Sequence, residues 1–397
     1  MKQISGLIPT YSSDEFGVCS ALYELGGMVV MHDASGCNST YTTHDEPRWY
    51  DIDSLVYVSA VSEMETIMGD DQKLMDDITV VAGEVHPNFI AVVGAPIPYM
   101  IGTDFEAIAR LLEQRNGVPC FGFDTNGMQN YTAGVSMGLR AVIDRFTVRE
   151  KAPAVPGGGR SAKEAVVNLL GVTPLDFAVN GSVSSMKKWL RKHGFLPGAS
   201  LTLECSLEDL IHSGDADANL VVSYGGLAAA ELMEEKFGIP YLIGIPIGSA
   251  FADYLAGALA DCIEAGKSPD RASYAEISCS GVEGRPVIAA IGESIYQSSL
   301  AAAAAMEQDA DLRVLCPVDS ERILLRGCDL QVFEEDDIIG QLGHFDGVIA
   351  DPLYKAAVPE GLPFYELPHE ALSGRLYDDR NPDLIDRTLR SAGFAFD

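Results

Sequence analysis

The sequence predicts an α/β protein: three Rossmann-like domains in a row, with mostly parallel sheets. Two observations predict it. Short, continuous apolar runs recur along the whole chain, the mark of strands buried on both faces. Between them lie segments whose apolar residues step by three and four, as amphipathic crossover helices require. Length agrees, because 397 residues exceed what one core ordinarily serves, and 47 % hydrophobic residues can fill several.

The elements follow in order. Residues 27–31 (GMVVM) and 89–94 (FIAVVG) read as strands, the second feeding a helix over 104–115 on which Phe105, Ile108, Leu111 and Leu112 share one face. A strand at 119–123 ends the pattern of the first domain, residues 1–150. Residues 151–162 (KAPAVPGGGRSA) shift to Pro, Gly and Ala and read as a linker. The second domain, 151–284, carries strands at 165–170, 199–204 and 219–222, with a helix at 183–193. A further helix ends at Phe237, stopped by Gly238 and Pro240 before a strand at 239–245. The third domain, 285–397, opens with the strand 285–292 (RPVIAAIG) and an alanine-rich helix at 295–308. Strands at 313–316 and 347–351 and a helix over 383–392 complete it.

Charge narrows the partners. Twenty-seven Lys and Arg against 58 Asp and Glu give a net charge of −31. A chain this acidic repels phosphate backbones, so nucleic acid is excluded as a partner. The longest apolar stretches, such as 241–252, are short and interrupted by Gly and Pro, which argues against a membrane span. Met1-Lys2-Gln3 opens no signal-peptide core, so a cytoplasmic protein is expected. Eight thinly spread cysteines are too few for a disulfide scaffold and read as reduced thiols or metal ligands.

Nucleotide and nucleophile motifs are absent. No strand is followed by GxGxxG, and AGKS at 265–268 lacks the first P-loop glycine, because position 261 is Asp. There is no GxSxG and no CxxC pair. Any ATP chemistry therefore belongs to another protein. The first 75 residues stand out instead. Cys19 sits in SSDEFGVCSALYELGG, read as the opening of a helix, where amide dipoles would lower its thiol pKa. Cys37 follows an apolar run and Gly36, which lets the backbone approach an inorganic group closely. The competing reading for each is a buried, inert core cysteine.

The surrounding residues resemble the nitrogenase component-1 family. HDASGC at 32–37 is similar to the family's H-G-P-x-G-C. Ser62-Glu63 with MGDDQKL at 68–74 is similar to its E-x-x-x-(V/I)-x-G-x-x-x-K-L segment. IGTD at 101–104, NLVV at 219–222 with LMEEKFGIP at 232–240, and LPF at 362–364 through His369 and Ser373-Gly374 continue the likeness in order. The family includes nitrogenase catalytic subunits, their cofactor-assembly scaffolds, the dark-operative protochlorophyllide and chlorophyllide reductases, and a nickel-tetrapyrrole reductive cyclase branch. Departures are also visible. The loop 92–98, where relatives place a third cluster cysteine, has none. Val222 or Ser223 stands at the position of the iron–molybdenum cofactor's cysteine, and Pro368 in the register of its histidine, so a dinitrogen-reducing subunit is not expected.

The resemblance implies a cytoplasmic redox enzyme of an anaerobe, fed electrons by an ATP-hydrolysing, nitrogenase-iron-protein-like reductase. Cys19 and Cys37 become metal ligands of an iron–sulfur cluster. A [4Fe–4S] cluster takes four ligands, so two such pairs meeting in a dimer would complete one. A homodimer and a heterodimer with another component-1-like subunit are equally compatible, and Asp14, Asp33 or Ser35 would serve as rarer oxygen ligands. His32, His44 and His369 are the candidate catalytic residues, His being the side chain that titrates near neutrality. For the first two, loop hydrogen bonding is the competing role; for His369, with Arg375 beside a cavity between domains, it is a bend before the last helix. Cys120, on the strand after the 92–98 loop, takes no ligand role, and the cysteines at 205, 262, 279, 316 and 328 read as core or surface thiols. Two other functions stay open: a metallocofactor assembly scaffold of the same family, and a non-catalytic small-molecule binding protein.

Overall fold

The computed structural model describes residues 6–151, 162–277, 284–308 and 310–396, without the side chains of Cys37, His44 and Asp378. Most of the expected linker, 151–162, and Cys279 lie outside the described residues. Three sheets form, and every strand pair in them is parallel.

The first sheet, in the order β2-β1-β3-β4, comprises β1 (Met28–His32), β2 (Val56–Val58), β3 (Ile90–Gly94) and β4 (Cys120–Phe123). Its helices are α1 (Asp14–Leu22), α2 (Cys37–Thr40), α3 (Glu63–Met68), α4 (Asp71–Val85), α5 (Pro96–Ile101), α6 (Phe105–Asn116) and α7 (Tyr131–Phe146). β1 and β3 are buried at every position, as their unbroken apolar runs require. Thus α2, α3 and α5 all leave from the C-terminal edge of this sheet, after β1, β2 and β3.

The second sheet runs β6-β5-β7-β8, built from β5 (Val166–Val172), β6 (Leu196–Thr202), β7 (Ala218–Val221) and β8 (Tyr241–Ile243). With it come α8 (Pro174–Phe177), α9 (Ser182–Lys192), α10 (Leu207–His212), α11 (Leu227–Phe237) and α12 (Ser249–Ala265). Gly238 takes a left-handed φ of 64° at the end of α11, as its place before Pro240 anticipates. The third sheet runs β11-β10-β9-β12-β13: β9 (Val287–Ile291), β10 (Asp311–Cys316), β11 (Leu330–Gln331), β12 (Gly347–Ala350) and β13 (Phe364–Glu366). Its helices are α13 (Ser294–Glu307), α14 (Glu335–Leu342) and α15 (Glu370–Ser373).

Three expectations need correction. Residues 383–392 form no α-helix; Ile385 bridges to Ile247 and Gly248, Asp386 takes a φ of 51°, and only a 3₁₀ turn, Leu389–Ala392, is helical. The amide of Asp386 is drawn to Pro246 O, so tertiary pairing overrides local propensity. Cys328 is disulfide-bonded, not a thiol. The third concerns Cys19 and follows below. Among the described residues, no helix is long and apolar enough to cross a membrane.

One close crossing sets the position of Cys19. Helices α1 and α7 meet through glycines: a Cβ on Gly17 would lie 2.0 Å from Tyr131 O, and one on Gly134 1.9 Å from Asp14 O. Only hydrogen fits at either point.

Candidate functional site

Cys19 lies past the middle of α1 rather than at its opening, and it is fully buried. Burial, reinforced by Glu15 and Glu46, pushes its thiol well above the ordinary range. The expectation of a lowered pKa therefore fails: the helix begins at Asp14, a full turn before Cys19, and its first amides are taken, that of Asp14 by Gln129 O and that of Glu15 by Asp14. Asp14 uses those amides' neighbourhood itself, accepting from the backbone of Glu15 (3.1 Å), Asn126 (3.1 Å) and Gly127 (2.8 Å).

Cys37 opens α2, immediately after two left-handed residues, Ser35 (φ 104°) and Gly36 (φ 82°). A Cβ at Gly36 would meet nothing within 4 Å, so the backbone there faces open space. Its neighbours are internally engaged: Asn38 donates to Asp33 at 2.8 Å, and the Ser35 and Ser39 hydroxyls bond each other. Helix α2 runs into a π-helical turn, Tyr41–Asp45, which holds the backbone of His44. Tyr41 from this turn packs on Phe16 of α1, ring centroids 4.9 Å apart. Arg48 then clamps the segment to α1. It pairs with Glu46 at 2.5 Å and Glu24 at 3.0 Å, donates to Ser20 O at 3.0 Å, and covers the Tyr23 ring at 4.5 Å. So the stretch carrying Cys37 is pinned against the helix carrying Cys19.

On α1, at its end and in the turn packed on it, polar atoms go unmatched. Glu15 Oε2, Tyr41 Oη and Tyr23 Oη are buried with no hydrogen-bond partner, an uncommon condition for buried polar groups. The Glu15 carboxyl is pushed up to about 8 by burial and the adjoining Asp14 carboxylate. Tyr41 is raised well above its usual value by burial and by Glu46. The Cys19 thiol, the orphaned oxygens and the open backbone at Gly36 suit an inorganic group with thiolate and oxygen donors. Among the described residues, though, no three His, Cys, Asp or Glu side chains already converge as a metal site.

His32 ends β1, bonds Ser59 Oγ through Nδ1 at 2.9 Å, and is lowered by burial. It lines a cavity of ≈ 210 Å³ floored by Met28, Val30 and Leu74 and rimmed by Lys73. His369 lies elsewhere, where the three sheets meet. Its Nε2 stands 3.4 Å from Asp176 Oδ1, after β5, and 3.3 Å from the Tyr131 hydroxyl of α7, which donates to Asp176 at 2.5 Å. Thr173 completes Asp176 at 3.0 Å, and Asp351, after β12, accepts from the His369 amide at 2.7 Å. The Nδ1 of His369 is buried and unpaired. Nearby Glu293 is pushed up to about 7 by burial and by Asp176. Arg375, named with His369 as facing a cavity between domains, covers the Tyr50 ring at 5.2 Å. Neither Tyr131 nor Asp176 was visible in the sequence as a site residue, because nothing local links positions 131, 176 and 369. Ser223 donates to Gly171 O at 2.7 Å, a structural role.

Residues 15–279 match the family model described as nitrogenase component 1 type oxidoreductase. The chain belongs to the nitrogenase component 1 family. Relatives within it include the nitrogenase iron-molybdenum cofactor biosynthesis protein NifE of Clostridium pasteurianum, 28 % identical over 183 residues, covering 45 % of this chain and 37 % of that protein. The nitrogenase molybdenum-iron protein alpha chain of the same organism is 28 % identical over 188 residues, covering 47 % and 33 %. A light-independent protochlorophyllide reductase polypeptide of Nostoc punctiforme is 24 % identical over 195 residues, covering 49 % and 38 %. These matches span 33–38 % of each relative's length. A solved structure, "Nitrogenase Cp1 at pH 6.5", superposes with a TM-score of 0.68 at 16 % identity, covering 99 % of this chain and 93 % of that one, and so shares the component 1 fold.

Proposed function

We propose that this component 1 protein is an oxidoreductase subunit that receives electrons through an iron–sulfur cluster held by Cys19 and Cys37 at an interface with a second component-1-like chain. The unmatched buried oxygens beside Cys19 carry the reading, since a chain with no group to bind there would leave them unsatisfied at about 1–3 kcal/mol each. An iron–sulfur cluster supplies one-electron transfer. The chain's own part is to hold the ligands: α7 fixes α1 through paired glycines, and Arg48 fixes the Cys37 segment onto it. An ATP-hydrolysing iron–sulfur reductase is the proposed donor. Met64, Ile67 and Met68 of α3 and Met100 of α5 are exposed at the same sheet edge and offer an apolar docking face.

The proposed reduction site is the junction of the three sheets, beyond their strand C-termini, where α/β folds place ligands. There the hydrogen-bonded group of Tyr131, Asp176 and His369, with the unpaired His369 Nδ1, would line the site and relay protons to the reduced substrate. The test is anaerobic incubation with a nitrogenase-iron-protein-like reductase and ATP, followed by electron paramagnetic resonance. ATP-dependent appearance of a reduced-cluster signal supports the reading; iron-replete protein that accepts no electrons contradicts it.

Similarity to a cofactor biosynthesis protein favours a second reading, an assembly scaffold. It would release its metal group to an acceptor apoprotein without multi-electron turnover, which a transfer assay distinguishes.

A further inference from the structure

We infer that Glu15 is a third ligand to the cluster from this chain, binding iron through its carboxylate. The inference rests on the proposal that Cys19 and Cys37 are ligands. Glu15 precedes Cys19 by four residues on α1, so the two side chains share one face of the helix, a turn apart. Only 6 % of Glu15 is exposed, and its Oε2 accepts nothing. The other oxygen candidates beside the cysteines are engaged. Asp14 takes three backbone amides, Asp33 takes Asn38, and Ser35 is bonded to Ser39. Glu15 alone among these carboxylates keeps a buried oxygen unclaimed.

Its carboxyl also points the right way. A Cβ at Gly127 would lie 3.8 Å from Glu15 Oε1 and 2.9 Å from Pro96 Cγ. The carboxyl thus reaches the loops that follow β3 and β4, at the sheet edge from which α2 and Cys37 also leave. The loop after β3, Ala95-Pro96-Ile97, offers no sulfur of its own. A four-iron cluster takes four ligands. Two thiolates and one carboxylate from this chain leave one position, so sharing becomes three and one, and the partner need contribute a single side chain.

The test uses full-length, ⁵⁷Fe-enriched protein purified anaerobically, with iron analysis and Mössbauer spectroscopy of the wild type, Cys19→Ala, Glu15→Gln and Glu15→Cys. The wild-type spectrum is expected to show one iron site distinct from the sulfur-ligated remainder. Glu15→Gln should lose iron several-fold, and Glu15→Cys should keep it while the distinct site merges with the others. The wild-type spectrum needs no variant, so a variant that fails to fold does not decide the matter. Iron that is lost in Cys19→Ala, yet gives only sulfur-ligated sites in the wild type and is unchanged in Glu15→Gln, overturns the Glu15 assignment alone. Wild-type protein with no iron overturns the cluster proposal beneath it.

Discussion

Replacing Arg48 with Ala should unfasten the Cys37 segment from α1. The guanidinium is buried, and its removal strands Glu46, also buried, 2.5 Å from the vacated charge, together with Glu24 and the carbonyl of Ser20. Breaking a buried ion pair by removing one partner costs about 3–5 kcal/mol. With an unfolding entropy of about 2.1 cal/mol/K per residue, 397 residues turn that loss into a melting shift of roughly 4–6 °C if unfolding is a single transition. The sign of its pH dependence follows from Glu46. Burial already raises that carboxyl above its ordinary value, with Arg48 opposing. Without Arg48 its folded pKa rises further, so the variant keeps its stability in acid and loses it as pH rises through that value. The gap between wild type and Arg48→Ala should therefore widen from pH 5 to pH 8. Calorimetry at both pH values checks this, with Glu46→Gln in the variant background expected to restore part of the loss. A gap below 1 °C, or one that does not depend on pH, would refute the clamp.

Other perturbations bear on the same region. Gly17→Ala, whose Cβ would meet Tyr131 O at 2.0 Å, should drive α1 from α7 and cost about 3 kcal/mol or more, read in urea unfolding. In cluster-free protein, Glu15→Gln should gain on the wild type as pH rises. Glu15 is raised from 4.5 to about 8, so the stability tied to its protonated form is lost between those values, with a ceiling of about 5 kcal/mol by pH 9. A constant difference from pH 4 to pH 9 would contradict that. Cys19, buried and with its thiol raised, should resist iodoacetamide in folded cluster-free protein and react only after denaturation, as peptide mapping would show.

How much of this was legible depended on the range of the interaction. β1, β3 and β9 could be read directly because strands buried on both faces must be continuously apolar. The three-residue strands β2 and β13 and the two-residue β11 are too short to show any period. The failed helix at 383–392 had acceptable local propensity, but Ile385 found a bridge to Ile247 more than a hundred residues away. The two cysteines proposed as ligands carried a motif; their environment did not. The depth of Cys19 comes from the glycine contacts of α1 with α7, and the isolation of Glu15 Oε2 from where Asp14 found its amides. The Tyr131–Asp176–His369 group joins all three sheets, and no spacing in a single sequence marks such a meeting.

The central claim is that Cys19 and Cys37 hold an iron–sulfur cluster. Iron and acid-labile sulfide should be measured after strictly anaerobic purification, with Cys19→Ala and Cys37→Ala alongside. Both elements are expected in the wild type, and each variant should lose them. Freshly prepared wild-type protein without iron, or iron undiminished in both variants, would contradict the claim.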